Sequence, residues 1–276
     1  MLLENKVAII TGGAKGMGKG IALRFAQEGC RVAVCDVDIA GAQTVADEIK
    51  ALGGRALAAN MDITKSPEIE ETVAQVIEEF GTIDILINNA GGVPGTHGSG
   101  SSETISEDEW DRIVALNLKG PFLVTKAVLP TMKEKRSGKI VYLSSMGAVS
   151  PVVSVLHYHS AKAGILGLSL NLAFELAPLN ICVNTIVPGP IETPFWDALL
   201  PPGPERDTFF SALAKHEVPL GRMGSPKDIA GAALFLASDL SDFVTGQVLC
   251  VAGGQPMLSQ QATFNIEGYL KGLGIL

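Results

Sequence analysis

Lys6–Gly20 reads KVAIITGGAKGMGKG, and this stretch decides the fold. A short β-branched run ends at Thr11. A glycine-rich turn follows, and a helical pattern begins at once. Gly12, Gly16 and Gly18 give the spacing GxxxGxG. Glycine lets the backbone turn tightly and lets a pyrophosphate approach with no Cβ in the way. The helix that opens there offers free N–H groups and the positive end of its dipole. Strand, glycine turn and helix in that order predict a dinucleotide-binding unit.

The remaining sequence keeps this rhythm. Lys6–Thr11, Arg31–Asp36, Arg55–Asn60, Ile83–Asn88, Lys139–Ser144, Asn180–Val187 and Gln247–Val251 read as strands. Helical segments lie between them near 17–28, 39–52, 67–80, 106–133, 155–177 and 226–238. Such alternation predicts an α/β fold: a single-domain, Rossmann-type, doubly wound parallel sheet of about seven strands with helices on both faces. The strands are apolar nearly throughout, as they are when both faces are covered. No linker, repeat or composition break divides residues 1–276, and the core is expected over about 5–254. Gly91–Ser102 (GGVPGTHGSGSS) reads as a flexible loop.

With 47% hydrophobic and 18% charged residues, the 276-residue chain can build a large core. Its net charge of −8, with no basic block, argues against nucleic acid and anionic membrane as partners. The N-terminus lacks a secretory signal, and no apolar run reaches membrane-spanning length. Cys30, Cys35, Cys182 and Cys250 form no CxxC pair and no Cys/His cluster. The expectation is a cytoplasmic protein with free thiols and no metal. Tyr158–Ala177 is apolar on more than one face, so a second subunit is expected to cover what the sheet does not. A homo-oligomer, tetramer or dimer, follows.

Asp36 ends the second strand, where a carboxylate can accept hydrogen bonds from the adenosine ribose hydroxyls. It also repels a 2′-phosphate by about 4 kcal/mol at ~4 Å and an effective dielectric of ~20. NAD is therefore favoured. Lys15 works the other way and keeps NADP as the alternative. Asp62, just past the third strand, reads either as an adenine contact or as a helix cap.

Tyr158 and Lys162 stand at i and i+4, on one helical face. A phenol titrates near 10, and a neighbouring ammonium favours the phenolate. Reaching neutrality takes about three units, roughly 4 kcal/mol. Lys162 and a positively charged nicotinamide are expected to supply it. Ser144 and Ser145 end the fifth strand, at the edge where open α/β sheets bind ligands.

TGGAKGMG (11–18), the acid at 36, NNAG (88–91), NLKGPF (117–122), a serine thirteen residues before YHSAK, PGPIET (188–193) and VTGQVLCVAGG (244–254) occur together and in order. The chain resembles a classical short-chain dehydrogenase/reductase over about residues 5–254. The resemblance implies a hydride transfer between nicotinamide and a secondary alcohol or ketone, with Tyr158 as general acid/base. Ser145 would hold the substrate oxygen. Lys162 would bind ribose and lower the tyrosine. Asn117 would hold a water linking Lys162 to solvent. Cofactor contacts would come from Gly12, Lys15, Gly16, Met17 and Gly18, then Asp36, Asp62 and Ile63. Asn88, Asn89, Ala90 and Gly91 would flank it, with Tyr158, Lys162, Pro188, Gly189, Ile191 and Thr193.

His157 and His159 adjoin Tyr158 and so point about 100° away from it around the helix. They are expected to be packing or surface residues, with a substrate contact by His157 from the preceding loop as the alternative. His97 is a further candidate contact, and His216 reads as surface. An insertion at about 189–222 carries Phe195, Trp196, Leu199, Leu200, Phe209 and Phe210. It is expected to be an apolar lid over a cyclic or aryl substrate. The tail 255–276 (Met257, Leu258, Phe264, Ile266, Tyr269, Leu270) either reaches a neighbouring subunit or packs on its own domain.

The family's pattern is broken by Ala252, where an acid is common, and by Cys182, where a basic residue is usual. The main alternative function is a 3-oxoacyl-carrier-protein reductase using NADPH. Arg136 stands at one of its basic docking positions, but Phe174 stands at the other. A catalytically silent dinucleotide sensor is the rival from another class, and it would not need all four of Asn117, Ser145, Tyr158 and Lys162.

Overall fold

The computed structural model describes residues 1–94, 102–150, 155–198, 200–255 and 271. Most of the Gly91–Ser102 loop with His97, lid residue Leu199 and nearly all of the tail lie outside the described residues.

Seven parallel strands form one sheet: β1 (Val7–Thr11), β2 (Arg31–Asp36), β3 (Arg55–Asn60), β4 (Ile85–Asn88), β5 (Gly138–Leu143), β6 (Ile181–Pro188) and β7 (Val248–Val251). Their order is β3-β2-β1-β4-β5-β6-β7. The order reverses between β1 and β4, and the crevice above their carboxyl ends is the ligand position of such sheets. The pleat of the inner strands feeds two cores. Ala8 and Ile10 of β1 join one cluster, Val7 and Ile9 the other.

Helices α1 (Gly16–Gln27), α2 (Ile39–Ala51), α3 (Ser66–Phe80), α4 (Glu107–Val114), α5 (Gly120–Lys135), α6 (Leu156–Leu176), α7 (Pro204–Glu217) and α8 (Pro226–Ala237) follow in chain order. Ile21 and Phe25 of α1, Val45 of α2 and Ile229 of α8 cover one face. Val76 of α3, Val124 of α5 and Ile165 of α6 cover the other.

Two features depart from the sequence reading. The single helix expected near 106–133 is broken by a π-helical turn, Ala115–Lys119, between α4 and α5. The run Glu107–Lys135 is, by length and composition, apolar enough to cross a membrane. Here Ile113, Val124, Val128 and Met132 are packed in the core. The insertion contains the unexpected helix α7, whose Phe209 and Leu213, one turn apart, pack with Leu200 and Met223 as a small separate core. The four cysteines are free thiols.

Candidate active site

The turn after β1 and the start of α1 have the form a dinucleotide needs. Gly12 lies at φ 63° and Gly16 at φ 56°. At Gly18 a Cβ would fall 2.1 Å from the Gly12 carbonyl oxygen, so helix and strand touch through bare backbone. No side chain caps α1, and its first turn holds no acid. Its leading N–H groups are left for an anion. Lys15 is exposed at the cap position, and Met17 is half-buried behind the turn. These residues fit a pyrophosphate.

Asp36 stands beside this turn. Its Oδ2 accepts the Ala14 N–H at 3.0 Å and its Oδ1 the Asp38 N–H at 3.0 Å. Asp62 accepts from the Thr64 N–H at 2.9 Å and the Thr64 hydroxyl at 2.7 Å. Burial raises its carboxyl, but Thr64 and Lys65 outweigh this and hold it below the usual range. It forms a turn ahead of α3, where Lys65 is the cap residue. The Ile63 side chain is buried against Gly120, so its main chain is what remains to meet a cofactor.

Thr11 ties β4 to this turn, its hydroxyl accepting the N–H groups of Asn89 at 3.0 Å and Ala90 at 2.9 Å. The Asn89 amide donates to the carbonyls of Thr11 and Gly12, both at 2.9 Å. Asn88 corrects the expectation that it flanks a cofactor: it is buried and donates to Thr125 at 3.0 Å. Beyond β6, buried Pro188 leads to Gly189, whose N–H donates to the Val251 carbonyl at 3.0 Å. The Ile191 side chain lies in the core and its carbonyl accepts the Trp196 indole N–H at 2.8 Å. Thr193 returns to the glycine turn, 3.4 Å from where a Gly16 Cβ would lie.

Ser145, Tyr158 and Lys162 meet at the carboxyl edge of β5. The Ser145 hydroxyl is hydrogen-bonded to the Tyr158 phenol. Lys162 Nζ donates to the Leu143 carbonyl at 2.9 Å, and the Ser144 hydroxyl donates to the Lys162 carbonyl at 2.7 Å. A Cβ on Gly91 would fall 2.7 Å from Asn117 Oδ1 and 3.0 Å from Lys162 Nζ, so the two ends of the site share a wall.

Residues 12–255 match the family model described as enoyl-(acyl carrier protein) reductase. The chain belongs to the short-chain dehydrogenase/reductase family. It is similar to (2S)-[(R)-hydroxy(phenyl)methyl]succinyl-CoA dehydrogenase subunit BbsD of Thauera aromatica, 44% identical over 94% of this chain and 100% of that protein. The 3-oxoacyl-[acyl-carrier-protein] reductase FabG of Thermotoga maritima is 39% identical over 92% of this chain and 99% of that one. The cyclohexanol dehydrogenase of Rhodococcus sp. (strain TK6) is 38% identical over 91% and 96%. The crystal structure of levodione reductase superposes with a TM-score of 0.85 at 31% identity, over 92% of this chain and 99% of that one. This short-chain dehydrogenase/reductase is an oxidoreductase that uses NAD or NADP to interconvert a secondary alcohol and a ketone.

Three features of the dehydrogenase's site go beyond the sequence reading. Burial pushes the Tyr158 phenol up to about 12, with the Ser145 hydrogen bond pulling the other way. Lys162 Nζ donates to the Leu143 carbonyl and stands 5.7 Å from the centre of the Tyr158 ring. Burial brings Lys162 itself down to about 8. Second, the Asn117 amide donates to Gly92 and Ile113 carbonyls at 2.8 and 3.0 Å and accepts the Gly92 N–H at 2.9 Å. Its side chain braces the π-turn. Third, His157 is a buried packing residue inside α6, with Nε2 3.0 Å from Glu109 Oε1; the alternative, a substrate contact from the preceding loop, is corrected.

His159 is also buried, and burial and then His157 lower it. His216 is exposed. Phe195 sets its ring 6.1 Å from that of Tyr158 and meets Trp196 edge-on at 6.0 Å. Trp196 packs on Phe209 and Phe210 at 5.7 and 5.5 Å, so it supports Phe195 rather than facing a ligand itself. Thr11, Leu143 and Glu109 are the site residues that the sequence reading passed over. Thr11 lies inside the quoted motif. Leu143 acts through its carbonyl, which side-chain identity does not reveal. Glu109 is 48 positions from His157, and no spacing announces it.

Proposed function

We propose that Tyr158 is the proton-transfer group, that Ser145 holds the substrate oxygen, and that NAD is the preferred cofactor. The observation carrying this is the Ser145–Tyr158 hydrogen bond beside Lys162, walled by Gly91 from the nucleotide strand. A bound nicotinamide supplies the hydride donor or acceptor and, when oxidised, a positive charge near the phenol. In reduction, neutral Tyr158 gives its proton to the ketone oxygen. In oxidation, the phenolate takes the alcohol's proton, and the same serine keeps that oxygen in reach. Lys162 and the main chain of Asn117 organise the far side of the tyrosine. Ser145, Tyr158, Lys162 and Asn117 are the catalytic set in this reading.

Asp36 supports NAD, since its carboxylate stands where an added 2′-phosphate would be repelled. The substrate is a cyclic or aryl secondary alcohol. Phe195 beside Tyr158 supports this, as do the phenyl and cyclohexanol named for two relatives. Residues 189–222 act as the lid, in a single domain over 1–276. For the carrier-protein reductase reading, Arg136 is turned onto the Pro178 carbonyl at 2.7 Å and Phe174 is 87% exposed, so no basic pair stands ready to dock an acidic partner. Exposed Leu170 and Phe174 on α6 support a homo-oligomer.

An NAD- and NADP-coupled screen of secondary alcohols tests this, with an acetoacetyl thioester and NADPH as the competing assay. Tyr158→Phe should abolish turnover and leave nucleotide binding intact. Retained turnover in that variant would overturn the assignment.

A further inference from the structure

Tyr158 lies in the first turn of α6, where a helix has no backbone partners for its leading N–H groups. Val155 holds the cap position, and its apolar side chain makes no capping hydrogen bond. Such ends fray unless held from outside. Yet the phenol has to stay in register with Ser145, since a misplacement of about 1 Å can cost ~10²-fold in rate.

Glu109 on α4 supplies an outside holder. His157 Nε2 lies 3.0 Å from Glu109 Oε1, and the imidazole is 1% exposed. A carboxylate accepts, so Nε2 carries the hydrogen and donates. Nδ1 is buried with no partner among the described residues, so Glu109 is the hydrogen-bond anchor they offer this ring. On the far side of Tyr158, the His159 ring lies flush on Gly147, in the turn that follows Ser145: a Cβ there would fall 2.1 Å from His159 Cδ2. The tyrosine is thus flanked by one histidine tied to α4 and another resting on the serine's turn.

We propose that Glu109 and His157 form a positioning pair that fixes the first turn of α6, and with it the Tyr158 phenol relative to Ser145. This rests on Tyr158 being the proton-transfer group. Neither member of the pair touches the reacting atoms. Its loss should therefore slow the chemical step without weakening binding.

The test uses the full chain, an alcohol that the wild type turns over, and Tyr158→Phe as the reference. Glu109→Ala should lower kcat about 10- to 100-fold, the size of a small misplacement. The alcohol KM and the Kd for reduced nicotinamide nucleotide, read by fluorescence, should hold. Glu109→Gln keeps an acceptor oxygen facing Nε2 and should recover most of the lost rate. Glu109 is on the surface side of the pair, so both variants should fold, and thermal melting checks this. An unchanged kcat in Glu109→Ala overturns the proposal. So does a loss that Glu109→Gln does not rescue, or one that follows the nucleotide Kd or the folded fraction. If Tyr158→Phe is dead and Glu109→Ala fully active, the positioning role alone fails. If Tyr158→Phe is active, the function reading fails first.

Discussion

Lys162 Nζ donates to the carbonyl of Leu143 at 2.9 Å and stands 5.7 Å from the centre of the Tyr158 ring. The ammonium thus belongs to the end of β5 rather than to the phenol. Buried, and with no acid paired to it among the described residues, it titrates at about 8 instead of 10.5. A lysine whose folded value is depressed costs stability wherever the folded chain must carry its charge. That cost is present in full below about 8 and fades as pH rises towards the unfolded value. Lys162→Met should therefore melt higher than wild type at pH ~7, by a few degrees, while losing activity. The gap should narrow in melts taken at increasing pH through the alkaline range. A variant less stable at neutrality would contradict this account.

Asp36 has two jobs that one substitution exposes together. Its oxygens hold the Ala14 and Asp38 N–H groups, and in the proposed reading its charge guards the ribose position. Asp36→Ala should weaken NADH binding about 10- to 100-fold, the worth of a charge-assisted hydrogen bond. NADPH binding should suffer less or improve. Fluorescence titrations with both nucleotides read the ratio, and an unchanged preference would remove the acid from specificity.

Phe195 offers a ring 6.1 Å from that of Tyr158, backed by Trp196. Aromatic contacts of this kind contribute about 0.5–1.5 kcal/mol beyond area burial. Phe195→Ala should raise KM about 3- to 10-fold for cyclic or aryl alcohols and leave a short acyclic alcohol nearly unchanged. Equal losses for both substrate types would assign Phe195 to folding of the lid instead.

Gly147 has no room for a side chain, since its Cβ would fall 2.1 and 2.3 Å from His159 Cδ2 and Nε2. Gly147→Ala must push that ring or the turn after Ser145 aside, at about 1–3 kcal/mol in stability. A drop in kcat larger than the drop in folded protein should follow. Wild-type kinetics with an intact fold would show that the turn yields freely.

Strands and most helices were legible in the sequence because their signals are local. The unbroken apolar run of β1, the glycines at 12, 16 and 18, and Asp36 at the end of β2 all act within a few residues of their place in the chain. Helix α7 was missed because its buried Phe209 and Leu213 face a small core inside the insertion, among charged neighbours. The π-turn was missed because Asn117 earns its geometry from Gly92, 25 positions away.

By itself, the sequence determined the parallel sheet, the nucleotide turn and which residue types gather at the end of β5. Side-chain spacing and glycine placement set these, and both are short-range. Only the tertiary structure decided that Lys162 would bond Leu143, that Asn117 would brace a turn, and that His157 would face Glu109. Those pairings come from how α4, α6 and the sheet pack, and burial then sets which polar atoms must find each other. A periodic pattern carries the face of a helix, but not the partner it meets.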